Sequence, residues 1–152
     1  MRKSLDDPWG RACVLTRLRT LTSNSTRRWG RMNPHEAMCH LSDSFQAMTN
    51  LMPISSKSNI FTRNLVRWIA LHSMFPWPHG VKTMPEVDQE IGGTKPVEFE
   101  RDKRALEALI EQFAHCTSAD LQPQPIFGRL SNAEWQRWGY LHMDHHLRQF
   151  GK

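Results

Sequence analysis

Helix punctuation limits this chain more than any other feature. Asn33-Pro34-His35-Glu36 places an N-cap Asn, a proline at the first helical position and a glutamate three residues after the cap. Ser131-Asn132-Ala133-Glu134 repeats the cap-and-glutamate spacing. In both, the cap oxygen accepts from a first-turn amide and the glutamate reaches back to the cap amide, so orphan donors find partners. Apolar residues then recur at helical spacing: Met38, Leu41, Phe45, Met48 and Met52 after the first box, Trp135 and Trp138 after the second. Strand patterning is almost absent, so the expected class is all-α.

Three further segments carry the helical period. Residues 9–21 place Val14, Leu15, Leu18 and Leu21 on one stripe; residues 59–74 place Leu65, Trp68, Ile69, His72 and Phe75 on an expected inner side. Residues 98–116 align Phe99, Leu106, Leu109, Ile110 and Phe113, with Glu98, Glu100 and Asp102 near the positive end of the helix. Pro53 stops the second helix, and Phe75-Pro76-Trp77-Pro78-His79-Gly80 ends the third. Residues 80–97 form a long irregular connection of the kind that serves as lid, crossover or packed segment. The expected architecture is a bundle over residues 11–152, preceded by a flexible segment at 1–10. A length of 152 residues suits one such domain.

The net charge is +5, concentrated in residues 1–31, where Arg2, Lys3, Arg11, Arg17, Arg19, Arg27, Arg28 and Arg31 oppose Asp6 and Asp7. These arginines are dispersed and form no nucleic-acid motif, so a solvated arm is expected. No apolar run approaches the roughly 18 residues a membrane helix needs. Cys13, Cys39 and Cys116 are odd in number and widely spaced, which argues against a disulfide framework and for a cytoplasmic setting.

The chemistry-bearing residues are histidines. On the fifth helix, at about 100° per residue, Trp135, Trp138, His142, His146 and Gln149 share one stripe, with Trp135 and the two histidines within roughly 40° of each other. Two imidazoles one turn apart, joined by a third from another helix, can hold one face of a transition metal and leave positions open. His40 is the candidate third. It lies about 100° from Leu41, flanking the apolar face rather than centring it. Asp43, three residues on, is placed to orient His40 or a bound water. His145 sits at the edge of the stripe. Lone core histidines are commonly just hydrogen-bonded, but burying several imidazoles without a shared purpose is costly.

Other candidates are weaker. His35 is expected at the surface, His72 in a core or pocket, and His79 and His115 at loop and helix ends. Gly92-Gly93-Thr94-Lys95 lacks the full phosphate-loop pattern. Trp68, Trp135 and Trp138 read as core, with a pocket-wall role open to Trp135 or Trp138.

The segment His142-x-x-x-His146-Leu147-Arg148-Gln149 resembles the terminal signature of the DinB/YfiT-like superfamily, and His40-Leu41-Ser42-Asp43 resembles its earlier His-x-x-Asp segment. Trp29-Gly30-Arg31-Met32, the Pro76-Trp77-Pro78 turn, Gly93-Thr94-x-Pro96 with Phe99-Glu100, and Phe127-Gly128-x-Leu130 are similar to a branch of unknown function. The likeness runs from about Ala12 onward. It implies a four-helix-bundle core with an additional short helix and a long loop, and His40, His142 and His146 around zinc, nickel or a similar divalent ion. Iron or copper also suits three imidazoles. The resemblance further implies a metal-dependent transferase or hydrolase acting on a small molecule such as a low-molecular-weight thiol. Asp43, His145, Gln149, Trp135 and Trp138 would then support the ligands or line the pocket. A metal-free interaction or stress-associated module, as a homodimer, is the alternative.

Overall fold

The computed structural model describes residues 3–55, 60–73 and 75–152, with side chains for all of these except residues 60–62. Among the described residues lie five α-helices: α1 (Pro8–Arg19), α2 (Pro34–Met48), α3 (Ile60–His72), α4 (Phe99–Phe113) and α5 (Asn132–Gln149). No strand occurs among the described residues, and only Gln124 and Gly128 form an isolated bridge. No helix among them is long and apolar enough to cross a membrane.

Both capping boxes form as the spacing predicts. Asn33 accepts from the amides of His35 and Glu36 while Glu36 accepts from the Asn33 amide; Ser131 and Glu134 do the same for α5. Removing the first box with Asn33→Ala should cost about 1 kcal/mol, read as a lower denaturation midpoint with an unchanged denaturant slope.

α1, α2, α4 and α5 form the bundle. Its centre is aromatic: Phe45, Phe113, Trp135 and Trp138 meet edge-on or tilted, with Phe45–Phe113 centroids 4.9 Å apart and Trp135–Trp138 5.5 Å apart. Met38, Leu106, Ile110, Met143 and Leu147 fill the space around them. Such quadrupole-matched ring contacts add to the burial of their large apolar areas.

α3 stands outside this bundle and, among the described residues, packs on α5. Its orientation differs from the expected one. Leu65, Trp68, Ile69 and Phe75, assigned to the inner side, are exposed, Trp68 to 61%. Leu71 is the residue buried, and Trp77 donates its indole N–H to the Ala70 carbonyl at 2.8 Å. Arg67 and His72 face Glu134 at the start of α5, at 3.4 and 3.6 Å. Leu71, with Arg67 and His72, thus marks the side of α3 that meets the bundle, and the apolar stripe is left outward. The expected helix ends Asn59 and Met74 lie outside the described residues.

Of the N-terminal segment expected to be flexible, the described residues 3–10 pack on the bundle. Leu5 is fully buried, and its amide donates to the Gln136 carbonyl at 3.1 Å. Gly139 makes room for it: a Cβ there would lie 2.6 Å from a Leu5 methyl. Four of the basic residues that follow form ion pairs within the chain. Arg11 pairs with Glu111, Arg17 with Asp144, Arg19 with Glu107, and Arg31 with Asp88 and Glu90.

The long connection lies across α2 as a strap. A 3-10 turn (Pro85–Val87) leads into buried Asp88 and Gln89. The Asp43 carboxylate of α2 accepts from the Gln89 side chain and the Thr94 amide, both at 2.8 Å. Gly93 permits the fold-back, since a Cβ there would meet the Asp88 backbone within 3.0 Å.

Candidate metal centre

The strap delivers a backbone acceptor to His40. His40 Nδ1 lies 2.7 Å from the Val87 carbonyl oxygen. A carbonyl can only accept, so this ring nitrogen carries the proton and Nε2 keeps its lone pair. Val87 therefore orients His40. Asp43, expected to do so, instead ties down the loop that carries Val87; no hydrogen bond joins Asp43 to His40.

His146 is set by the same logic from the other side. Arg28 donates its amide to the Gln149 carbonyl, and the Gln149 side-chain N–H₂ donates to the Trp29 carbonyl at 2.9 Å. That contact fixes which end of the amide is oxygen. Gln149 Oε1 lies 3.0 Å from His146 Nδ1, which must donate, leaving the His146 Nε2 lone pair free. Gly30 makes this arrangement possible: its φ is +75°, and a Cβ there would sit 2.7 Å from the Gln149 nitrogen.

His142 completes the cluster. Its Nε2 is 3.2 Å from His40 Nε2, and its Nδ1 is buried with no hydrogen-bond partner. The three ring centroids lie 5.2 Å (His40–His142), 4.8 Å (His40–His146) and 5.1 Å (His142–His146) apart. One ligand atom from each residue can be chosen so that all lie within 4.8 Å of one another; the group could hold a metal ion. Burial pushes all three histidines below the ordinary imidazole range; at His142 and His146 repulsion from neighbouring imidazoles adds to burial, and both lie well below it. They are neutral at pH 7, which is the form that ligates.

The surrounding walls are partly those expected. Trp138 lies against His142, with centroids 5.1 Å apart. Trp135 is one layer deeper, against Trp138 and Phe113, and makes no ring contact with the histidines. His145 touches His146 at 5.1 Å but turns outward among Trp29, Trp77 and His79, outside the three-histidine group. Trp29 stacks on His79 at 4.0 Å, and Trp77 lies 5.9 Å from His142. Trp29, Trp77, His79 and His145, with Leu141, Asp144 and Arg148, line a pocket beside the cluster. Trp29, Trp77 and His79 stood within recognised motifs, yet spacing alone gives no sign that they converge. Val87 contributes a carbonyl, which side-chain reading does not see.

Fold and site together define an all-α bundle with a buried three-histidine cluster. The chain belongs to the family described as "Protein of unknown function (DUF1569)", which it matches over residues 3–152. No curated protein and no solved structure matches it.

Proposed function

We propose that the chain is a divalent-metal-binding bundle of the DinB/YfiT type, with His40, His142 and His146 as ligands. The contact between His40 and His142 carries this reading. Their Nε2 atoms are 3.2 Å apart in a buried site where one is already committed as a lone pair. Two nitrogens each about 2.0–2.1 Å from a shared zinc lie roughly 2.9–3.4 Å apart at angles of about 90–110°. Zinc or nickel is the expected metal, and iron or copper also suits the ligands.

A metal ion held there would lower the pKa of a bound water or thiol and supply a nucleophile at neutral pH. The chain's own residues position and shield that chemistry. Val87 and Gln149 aim two of the lone pairs, Trp138 and Trp77 wall His142, and the pocket of Trp29, Trp77, His79 and His145 lies beside the centre. A metal-dependent transferase or hydrolase acting on a low-molecular-weight thiol fits this arrangement. Elemental analysis of the purified protein tests the first step; absence of any stoichiometric transition metal after reconstitution rejects it.

Supporting partners of metal-bound histidines commonly contribute about 10–100-fold to affinity. Gln149→Ala should weaken metal binding by that factor without unfolding the bundle. Gly30→Ala should act in the same direction, because its Cβ would displace the Gln149 amide. A competition titration against a chelator measures both.

One observation favours a second reading. The outward apolar stripe of Leu65, Trp68 and Ile69 on α3 suits a metal-free interaction or stress-associated module that assembles as a homodimer. Sedimentation of the metal-free protein discriminates, since a monomer that takes up stoichiometric metal contradicts this reading.

A further inference from the structure

We propose that His35, Cys39 and Asp102 form a second metal site, on the flank of α2 that faces α4. His35 and Cys39 are one turn apart on α2, so their side chains share a side. Asp102 meets them from the first turns of α4, and one ligand atom from each of the three lies within 4.8 Å of the others. Donors sharing a zinc ion lie roughly 3–4 Å apart, so small side-chain adjustments close the site. The His35 and Asp102 side chains are 19% and 17% exposed, which gives an ion a way in, while Cys39 is buried.

Charge favours a cation here. A divalent ion with one thiolate and one carboxylate is neutral overall, so a half-buried site does not hold an uncompensated charge. Burial pushes the Cys39 thiol up to about 12, and Asp102, Asp43 and Glu36 add negative potential at its sulfur, so the thiolate forms only as a cation binds. In addition, Asp43 Oδ1 is buried with no hydrogen-bond partner. The carboxylate of Asp102 is already aimed: its Oδ2 accepts from His35 Nε2 at 2.8 Å and from the amides of Val97 and Glu98, and its Oδ1 accepts from Arg101. On binding, the His35 proton moves to Nδ1, the Cys39 thiol releases its proton to solvent, and both groups turn lone pairs to the ion. A sulfur, nitrogen and oxygen donor set selects zinc or cobalt over magnesium or calcium, with water completing the shell.

Cobalt(II) titration of the metal-free protein separates this site from the first, because three imidazoles give no sulfur-to-metal transition. The expected result is two bound equivalents and a near-ultraviolet thiolate-to-cobalt charge-transfer band. The band should persist in His142→Ala, vanish in Cys39→Ser and weaken in His35→Ala. Circular dichroism checks that Cys39→Ser is folded; if it is not, His35→Ala at the rim of the site carries the test. A wild-type titration with no band overturns the proposal. So does a band that survives Cys39→Ser, since it would then arise at Cys13 or Cys116, and so does one unaffected by His35→Ala, since the imidazole would then be no ligand. A band without occupancy of the three-histidine centre would reject the first site and leave this one standing.

Discussion

Replacing His142 with alanine should remove tight metal binding at the three-histidine centre. Loss of a supporting partner costs about 10–100-fold, so loss of a ligand should exceed about a hundredfold. Two lone pairs on His40 and His146 would remain, each aimed by its own acceptor, Val87 and Gln149. The third side of the site would be an empty space between Trp138 and Trp77, which supply no ligand atom. The measurement is best made with nickel in a Cys39→Ser background, so that nitrogen ligation alone is read. A His142→Ala protein that is folded by circular dichroism and binds nickel as tightly as its parent would sink the three-histidine reading. Any hydrolytic or transfer activity found for the protein should fall in parallel with metal occupancy across His142→Ala and Gln149→Ala. An activity that outlives the metal would place the chemistry elsewhere.

The bundle was readable because its signals are local. A capping box and an apolar stripe each act within a few turns, and α2, α4 and α5 form where those signals stand. The His142–His146 pair was readable for the same reason. α3 shows where this kind of reading stops. Periodicity shows that Leu65, Trp68 and Ile69 share a face, but not whether a neighbour covers it. The covered side is the one carrying buried Leu71, with Arg67 and His72 against Glu134, far along the chain. His40 was supported mainly by resemblance, since on a helical wheel it only flanks the apolar face. What makes it central is the strap, which brings the Val87 carbonyl to its ring, and that depends on Asp43 and on the tight fold-back at Gly93. Leu5 gave little warning either: one apolar residue in a basic arm is significant only once Gly139 leaves a gap on α5.

Mild acid should destabilise the metal-free protein steeply, beginning near pH 6.5. His40, His142 and His146 are all held below their ordinary range, chiefly by burial. The unfolded chain takes up protons at these residues as pH falls through about 6.5, while the folded chain does not. Their contribution is therefore fully present above that pH. It is lost progressively below it, until the lower folded values are reached. Each histidine can cost at most about 1.4 kcal/mol per pH unit in that window, so the three together approach about 4 kcal/mol per unit. Against a typical stability of about 5–15 kcal/mol, that slope is enough to unfold the metal-free protein within a few pH units. Asp102, Asp120 and Glu134 are held low instead, so their loss belongs to a more acidic range, below the ordinary carboxylate values. Denaturant titrations at pH 7.5, 6.5 and 5.5 should show the midpoint falling slightly between the first two and sharply at the third. Bound metal should delay the fall, because protons must compete with it for the imidazoles. In His142→Leu, which keeps an apolar side chain between the two tryptophans, the slope below pH 6.5 should become shallower. A wild-type midpoint that is flat from pH 7.5 to 5.5 would mean that the cluster accepts protons in the folded state, and the neutral, ligand-ready histidines inferred from their burial would have to be abandoned.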